Sequence, residues 1–253
     1  MIDIHERSPD QPKPPGHNRR IKVCAHRGSS GTHPENTAAA YDEAVRVGAD
    51  MIEFDVRRCR DGGFIVMHDP AVDRTTNGSG MIADLSIDEI RRLDAGNGAQ
   101  VPKLAQAFAY AEHAILNVHA YPETEEDVET MADVLVELFT TRPAYDRGFV
   151  TSQNVSILRR IRALDPKIRL CCLLAQRDSN YVQLVLQRID CDVLQPSNTI
   201  VTPQLVAEAH DRGLKVNPFF ANEEVEMRRV IACGVDGLLT DFPARLIEVL
   251  EAG

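Results

Sequence analysis

Glu53 and Asp55 stand two residues apart in the apolar run 51-MIEFDV-56. On a strand that spacing turns both carboxylates to one face. Two uncompensated carboxylates on an enclosed face repel and raise each other's pKa. A divalent cation relieves the repulsion. So does a pair of salt bridges, for which Arg27 and Arg57, one step further along the same face, are the candidates. His26 ends an earlier apolar run, 22-KVCAH-26, and is followed by Arg27 and Gly28; His68 ends another, 64-FIVMH-68. Either histidine alone reads as an ordinary core or loop residue. Two at neighbouring strand ends, beside carboxylates and an arginine, suit general acid–base work near neutral pH, one removing a proton while the other supplies one. Arg27 offers a planar donor fork that matches phosphate oxygens. The set points to phosphoryl chemistry.

These side chains cooperate only if the chain gathers its strand ends in one place. Short β-rich runs alternate with longer helical patterns. The runs are 22-KVCAH-26, 51-MIEFDV-56, 115-ILNVH-119, 148-GFVTS-152, 168-IRLCCLL-174, 192-DVLQ-195, 214-LKVNPF-219 and 236-DGLLT-240. Helical stretches lie near 36–47, 103–113, 124–139, 154–164, 179–189, 202–212, 222–233 and 242–251. Such alternation predicts a parallel sheet buried on both faces. Eight βα units in this length predict an α/β fold, a closed (β/α)8 TIM barrel with its active site at the C-terminal ends of the strands. A doubly wound open sheet is the alternative, but no GxGxxG follows the first strand. Residues 57–100 break the rhythm as an insertion after the second strand. It holds the run ending in His68, a turn at Asn77-Gly78, and a short helix from Ser86, whose spacing to Glu89 is that of a capping box. Long ordered excursions of this kind tend to be functional.

The composition is that of a globular chain: 43% hydrophobic and 26% charged over 253 residues. A net charge of -10 argues against non-specific nucleic-acid binding, which needs a basic face. It leaves an anionic substrate open, because a bound divalent cation reverses the local field. No apolar run approaches the roughly 18 residues of a membrane span. Residues 1–20 are polar and proline-rich without the apolar core of a signal peptide. They are expected to form a flexible tail ahead of one barrel domain at 21–253, in a cytoplasmic protein. The six cysteines lack CxxC or ladder spacing and read as buried, reduced thiols.

The segment from His26 to Gly80 resembles the glycerophosphodiester phosphodiesterase family. It carries 26-HRG-28, 34-PENT-37, the E-x-D pair, Asp61-Gly62 before an apolar run, His68-Asp69, and 73-DRTT-76 followed by glycine. Further matches are 101-VPKL-104, the Leu-Asn-Val of the third strand, Ser152 and 234-GVDGLLTDFP-243, so that the resemblance covers about 21–247. It implies hydrolysis of a small glycerophosphodiester to glycerol 3-phosphate and an alcohol, in glycerol and lipid metabolism. It further implies His26 and His68 as the acid–base pair, Arg27 as phosphodiester ligand, and Glu53 and Asp55 as ligands of one divalent metal ion, magnesium or calcium. In this family the substrate's own glycerol hydroxyl attacks first, and water then opens the cyclic phosphate.

Two departures stand out. Where the family's third strand has E-x-K, this chain reads 117-NVHAY-121, placing His119 and Tyr121 at those positions. Both pairs are neutral in sum, which favours a retuned site. If His119 ligates, imidazole shifts the preference toward manganese, iron, cobalt or zinc. Otherwise His119 is a hydrogen-bonded interior residue of a metal-free barrel, and Tyr121 either donates to a phosphate oxygen or packs. At the seventh strand, 217-NPFFAN-222 puts Phe219 where the family has an aromatic residue and Asn222 where it has asparagine. Phe219 is expected to flank the substrate's alcohol portion, with a plain core role as the alternative. Two other functions stay open: a catalytically weak binding or regulatory protein, and a cyclising phosphodiesterase on choline lipids, for which the sequence shows neither secretion nor an apolar lip.

Overall fold

Eight parallel strands run side by side with a helix following each, as the alternation of the sequence predicts. In the computed structural model the described residues are 21–252 except 143, 146 and 175–179; the tail expected at 1–20 lies outside them. The strands are β1 (Lys22–Ala25), β2 (Met51–Arg58), β3 (Phe64–Val66), β4 (Ile115–Ala120), β5 (Gly148–Ser152), β6 (Arg169–Cys172), β7 (Val193–Leu194), β8 (Lys215–Val216) and β9 (Gly237–Thr240). Their order is β8-β7-β6-β5-β4-β2-β1-β9, with β3 set antiparallel against β2. Asp236 N donates to Val216 O at 2.9 Å and Leu239 N to Pro218 O at 3.0 Å, joining β8 to β9. The fold is a (β/α)8 TIM barrel with an insertion after its second strand.

The period-two pleat sorts the strand residues. Ile52, Phe54, Leu116, Val118, Val150 and Leu170 face the helices and join the main core. Their neighbours Cys24, Met51, Phe149, Cys171, Val193 and Leu239 meet inside the barrel and close its floor. Above that floor the interior turns polar with Glu53, Asn117, Thr151, Gln195 and Asn217, all buried. Stacked layers from alternate strands are the usual filling of such a barrel.

Local signals set the helix ends. Thr37 caps α1 (Ala38–Val47), and Gly48, at φ +88°, ends it in the left-handed conformation. The Ser86–Glu89 capping box forms as its spacing predicts, opening α2 (Ile87–Ile90) within the insertion. The insertion has its own small core of Ile65, Met67, Val72, Ile82, Ile90 and Val101. Several stretches are shorter than the sequence suggests, among them two with a local cause or break. The stretch near 103–113 divides into α3 (Leu104–Phe108) and a 3-10 turn at Ala109–Glu112. The ladder at β8 stops at Val216, two residues before Pro218, which has no N–H to donate. No helix among the described residues is long and apolar enough to cross a membrane.

Candidate active site

The C-terminal ends of β1, β2 and β4, with the segments that follow β3 and β8, bring the sequence-marked residues together. Glu53 and Asp55 both point into the barrel and are 2% and 1% exposed. His119 is the register partner of Asp55 across the β2–β4 ladder. Its Nδ1 lies 3.7 Å from Asp55 Oδ1 and 3.9 Å from Glu53 Oε1. Ligand atoms of the three residues fall within 4.8 Å of one another. The hairpin carries His68 over this cluster: Met67 N donates to Asp55 O at 3.0 Å, and Arg57 Nε donates to His68 O at 2.7 Å.

Arg27 sits at φ +55°, a region non-glycine residues rarely occupy, and its backbone N–H donates to Glu53 Oε2 at 2.9 Å. Its guanidinium lies 3.4 Å from Asp55 and donates to Glu35 at 2.9 Å. The next residue must be glycine, since a Cβ on Gly28 would stand 2.7 Å from the Ala40 backbone. Arg57 turns away from the carboxylate pair, to Glu123 at 2.7 Å. One of the two salt bridges that could have neutralised Glu53 and Asp55 is therefore partly made, and the other is absent.

The electrostatics follow from this arrangement. Burial, and then the Asp55 charge, push the Glu53 carboxyl well above its ordinary value. Burial works against an ionised Asp55 too, but His119, Arg27 and the Asn36 amide outweigh it and hold Asp55 low. Burial pushes the His119 imidazole down to about 4, so it is neutral at pH 7. Two acidic side chains and a neutral imidazole are a donor set for a divalent cation, and a cation would relieve the strain on Glu53. The residues fit a metal ion.

Both sequence-marked histidines are oriented by a carboxylate. His26 Nδ1 lies 2.7 Å from Asp241 Oδ1, and Asp241 is itself held by Asn222 Nδ2 at 2.6 Å and Ser30 Oγ at 3.0 Å. His68 Nδ1 lies 2.7 Å from Asp69 Oδ1, and Arg74 clamps Asp69 at 2.6 Å and Glu35 at 2.8 Å. With Nδ1 engaged in each ring, Nε2 is the nitrogen available for proton transfer. Aromatic rings steady both imidazoles: Phe220 stacks on His26 at 4.9 Å, and Tyr121 meets His68 edge-on at 5.6 Å. Tyr121 also lies against His119, its hydroxyl 3.0 Å from Nδ1, with the Arg57 guanidinium 4.7 Å from its ring centroid.

His26, Arg27, Glu53, Asp55, His68, His119, Tyr121 and Phe219 all line one cavity of about 350 Å³. The residues expected from the sequence to catalyse, bind substrate or ligate a metal thus reach the same space, whereas Arg57, Ser152 and Asn222 do not line it. Phe219 does so from the barrel floor, packed beside the interior apolar cluster, while the ring that touches a histidine is its neighbour Phe220. Sequence reasoning missed the supporting groups Asp241, Asp69, Glu35 and Asn36. Each lies inside a motif noted above, TDFP, HD or PENT, but no spacing shows that Asp241 meets a histidine 215 positions earlier.

Known proteins resemble this chain along most of its length. The model of the glycerophosphoryl diester phosphodiesterase family matches residues 26–245. A glycerophosphodiester phosphodiesterase of Caldanaerobacter subterraneus subsp. tengcongensis is 33% identical over 246 residues, covering 91% of this chain and 98% of the relative. Among solved structures, a phosphodiesterase of Oleispira antarctica in complex with the product sn-glycerol-3-phosphate superposes with a TM-score of 0.83 at 28% identity, covering 91% of this chain and 96% of that one. A glycerophosphodiester phosphodiesterase of Agrobacterium tumefaciens gives a TM-score of 0.77 at 27% identity, over 89% and 99% of the two chains.

Proposed function

This chain belongs to the glycerophosphoryl diester phosphodiesterase family and is a phosphodiester hydrolase, and we propose that it cleaves a glycerophosphodiester by paired-histidine catalysis beside a metal held by Glu53, Asp55 and His119. The observation that carries the reading is the pair of imidazoles, each tied to a carboxylate through Nδ1 and both lining one cavity with the acidic cluster. Arg27 binds and orients the phosphodiester oxygens. Nε2 of one histidine accepts the proton of the substrate's own glycerol hydroxyl as that oxygen attacks phosphorus. Nε2 of the other protonates the departing alcohol oxygen. In the second half the roles reverse: water loses a proton to the histidine that acted as acid, and the ring oxygen leaves with a proton from the other. The product is a phosphomonoester such as glycerol 3-phosphate.

A divalent cation at the acidic cluster would supply charge stabilisation at the phosphoryl oxygens. His119 as its third protein ligand distinguishes this chain from the family's usual E-x-K. Burial keeps the imidazole neutral and so ready to ligate, and Tyr121 packs its ring in place. Such a set prefers manganese, iron, cobalt or zinc over magnesium and calcium. The intact imidazole–carboxylate pairs support turnover rather than a binding-only role.

The test is hydrolysis of simple glycerophosphodiesters by purified protein, stripped with a chelator and then reloaded with single metals. Glycerol 3-phosphate should appear, with manganese, cobalt or zinc restoring more activity than magnesium or calcium. No hydrolysis with any metal would end the catalytic reading, and restoration by magnesium or calcium alone would end the assignment of His119 as a ligand.

A further inference from the structure

The motifs HRG, PENT, HD and DRTT meet through the charges of Arg27, Glu35, Asp69 and Arg74, and Arg74 stands in the middle. One edge of its guanidinium donates to Asp69, from Nε to Oδ2 at 2.6 Å and from Nη2 to Oδ1 at 3.0 Å. The other edge donates to Glu35, from Nη1 to Oε2 at 2.8 Å and from Nη2 to Oε1 at 2.8 Å. Asp69 Oδ1 is the atom that engages His68 Nδ1, and Glu35 Oε1 is the atom that accepts from Arg27 Nη1 at 2.9 Å. A continuous run of charge-assisted hydrogen bonds thus joins the His68 imidazole at one end to the Arg27 guanidinium at the other.

Gripping two carboxylates at once takes a planar fork on each edge, which a guanidinium has and an ammonium lacks. Single surface ion pairs contribute little, but bidentate pairs joined in a network are the exception. Burial would raise the Glu35 carboxyl, yet the Arg74 hydrogen bonds and then the Arg27 charge hold it low. Arg74 does most to keep the Asp69 carboxyl well below its ordinary range, ahead of His68. The backbone under Arg74 stands without these bonds. Val72 is buried in the insertion's own core, Thr76 bonds to Val72 O through its N–H at 3.1 Å and its hydroxyl at 2.8 Å, and Gly80 N donates to Asp73 at 3.0 Å. Arg74 does not line the active-site cavity, and with its side chain 47% exposed it fills no core space. What it fixes is the two carboxylates.

We propose that Arg74 is a positioning residue that sets His68 and Arg27 relative to each other, acting on the first through Asp69 and on the second through Glu35. The inference rests on the phosphodiester site proposed above. Asp69, held at both oxygens, keeps the His68 ring from turning; Glu35, held likewise, fixes the point at which Arg27 meets the phosphate. The test is steady-state kinetics on a glycerophosphodiester with metal-loaded wild-type protein, Arg74→Ala, Asp69→Ala and the double variant. Arg74→Ala should lower kcat by at least about tenfold, the scale for a group that orients a catalytic one. In the Asp69→Ala background the same change should alter kcat by less than about twofold, because the link to His68 is already cut. KM should rise by about threefold or more with Arg74→Ala in either background, since the Glu35 fork does not pass through Asp69. A kcat or KM unchanged by Arg74→Ala overturns the inference, as does an equal loss of kcat in both backgrounds. Should Arg74→Ala not fold, Arg74→Lys replaces it, keeping the charge and the stem without the forks. That variant should lose about threefold or more in kcat, and activity equal to wild type overturns the inference. If wild-type protein hydrolyses no glycerophosphodiester, the phosphodiester reading of the site falls, and this inference with it.

Discussion

Asp241, at the end of the last strand, holds Nδ1 of His26, at the end of the first, at 2.7 Å. The contact exists because β1 and β9 pair in register from Lys22–Gly237 to Ala25–Thr240. Burial alone would raise the Asp241 pKa, but the His26 contact and the Asn222 and Ser30 hydrogen bonds hold it below the usual carboxylate range. Asp241→Asn keeps the shape and removes the charge that orients and supports the imidazole. Turnover on a glycerophosphodiester should fall by about tenfold or more, with the apparent affinity for substrate changing less. Unchanged turnover would show that the contact is structural only.

His26→Ala and His68→Ala should each lower turnover by at least about 100-fold, the scale for general acid–base groups. Steady-state kinetics decide it, and near-normal activity in either variant removes that histidine from the mechanism.

Glu53→Ala should abolish metal dependence together with most activity, because it removes one of the two carboxylates facing His119. His119→Glu should keep a bound metal but move the preference toward magnesium and calcium, since oxygen replaces nitrogen in the donor set. Metal content per chain and activity with each ion separate these outcomes. A preference unmoved by His119→Glu would place His119 outside the metal shell.

Stability of the metal-free protein should depend on His119 in a defined window. The imidazole is depressed to about 4 in the folded chain, against 6.5 unfolded, so between these values the unfolded state binds more protons. The contribution is therefore fully present above pH 6.5 and is lost as pH falls toward 4, amounting to up to about 3 kcal/mol. Melting of chelator-treated wild type and His119→Gln over that range checks it. The variant should lose less stability on acidification, and parallel curves would contradict the burial-driven shift.

Much of this was legible in the residues themselves. Strand pleating is local and has a period of two, so Glu53 and Asp55 had to share a face and Phe54 the opposite one. The eight alternating runs implied the barrel, and the barrel put His26 and His119 at strand ends on one rim. What stayed hidden was partner choice across the closed ring. Arg57 shares the face of Glu53 and Asp55 yet turns to Glu123, because β2 carries it past the cluster to the rim, where the loop before the helix at Glu125–Thr141 offers a carboxylate. Phe220 rather than Phe219 reaches His26. Periodicity is written in neighbouring residues and can be read from them. Contacts between strands far apart in sequence arise only when the last strand meets the first, and there the tertiary structure alone decides.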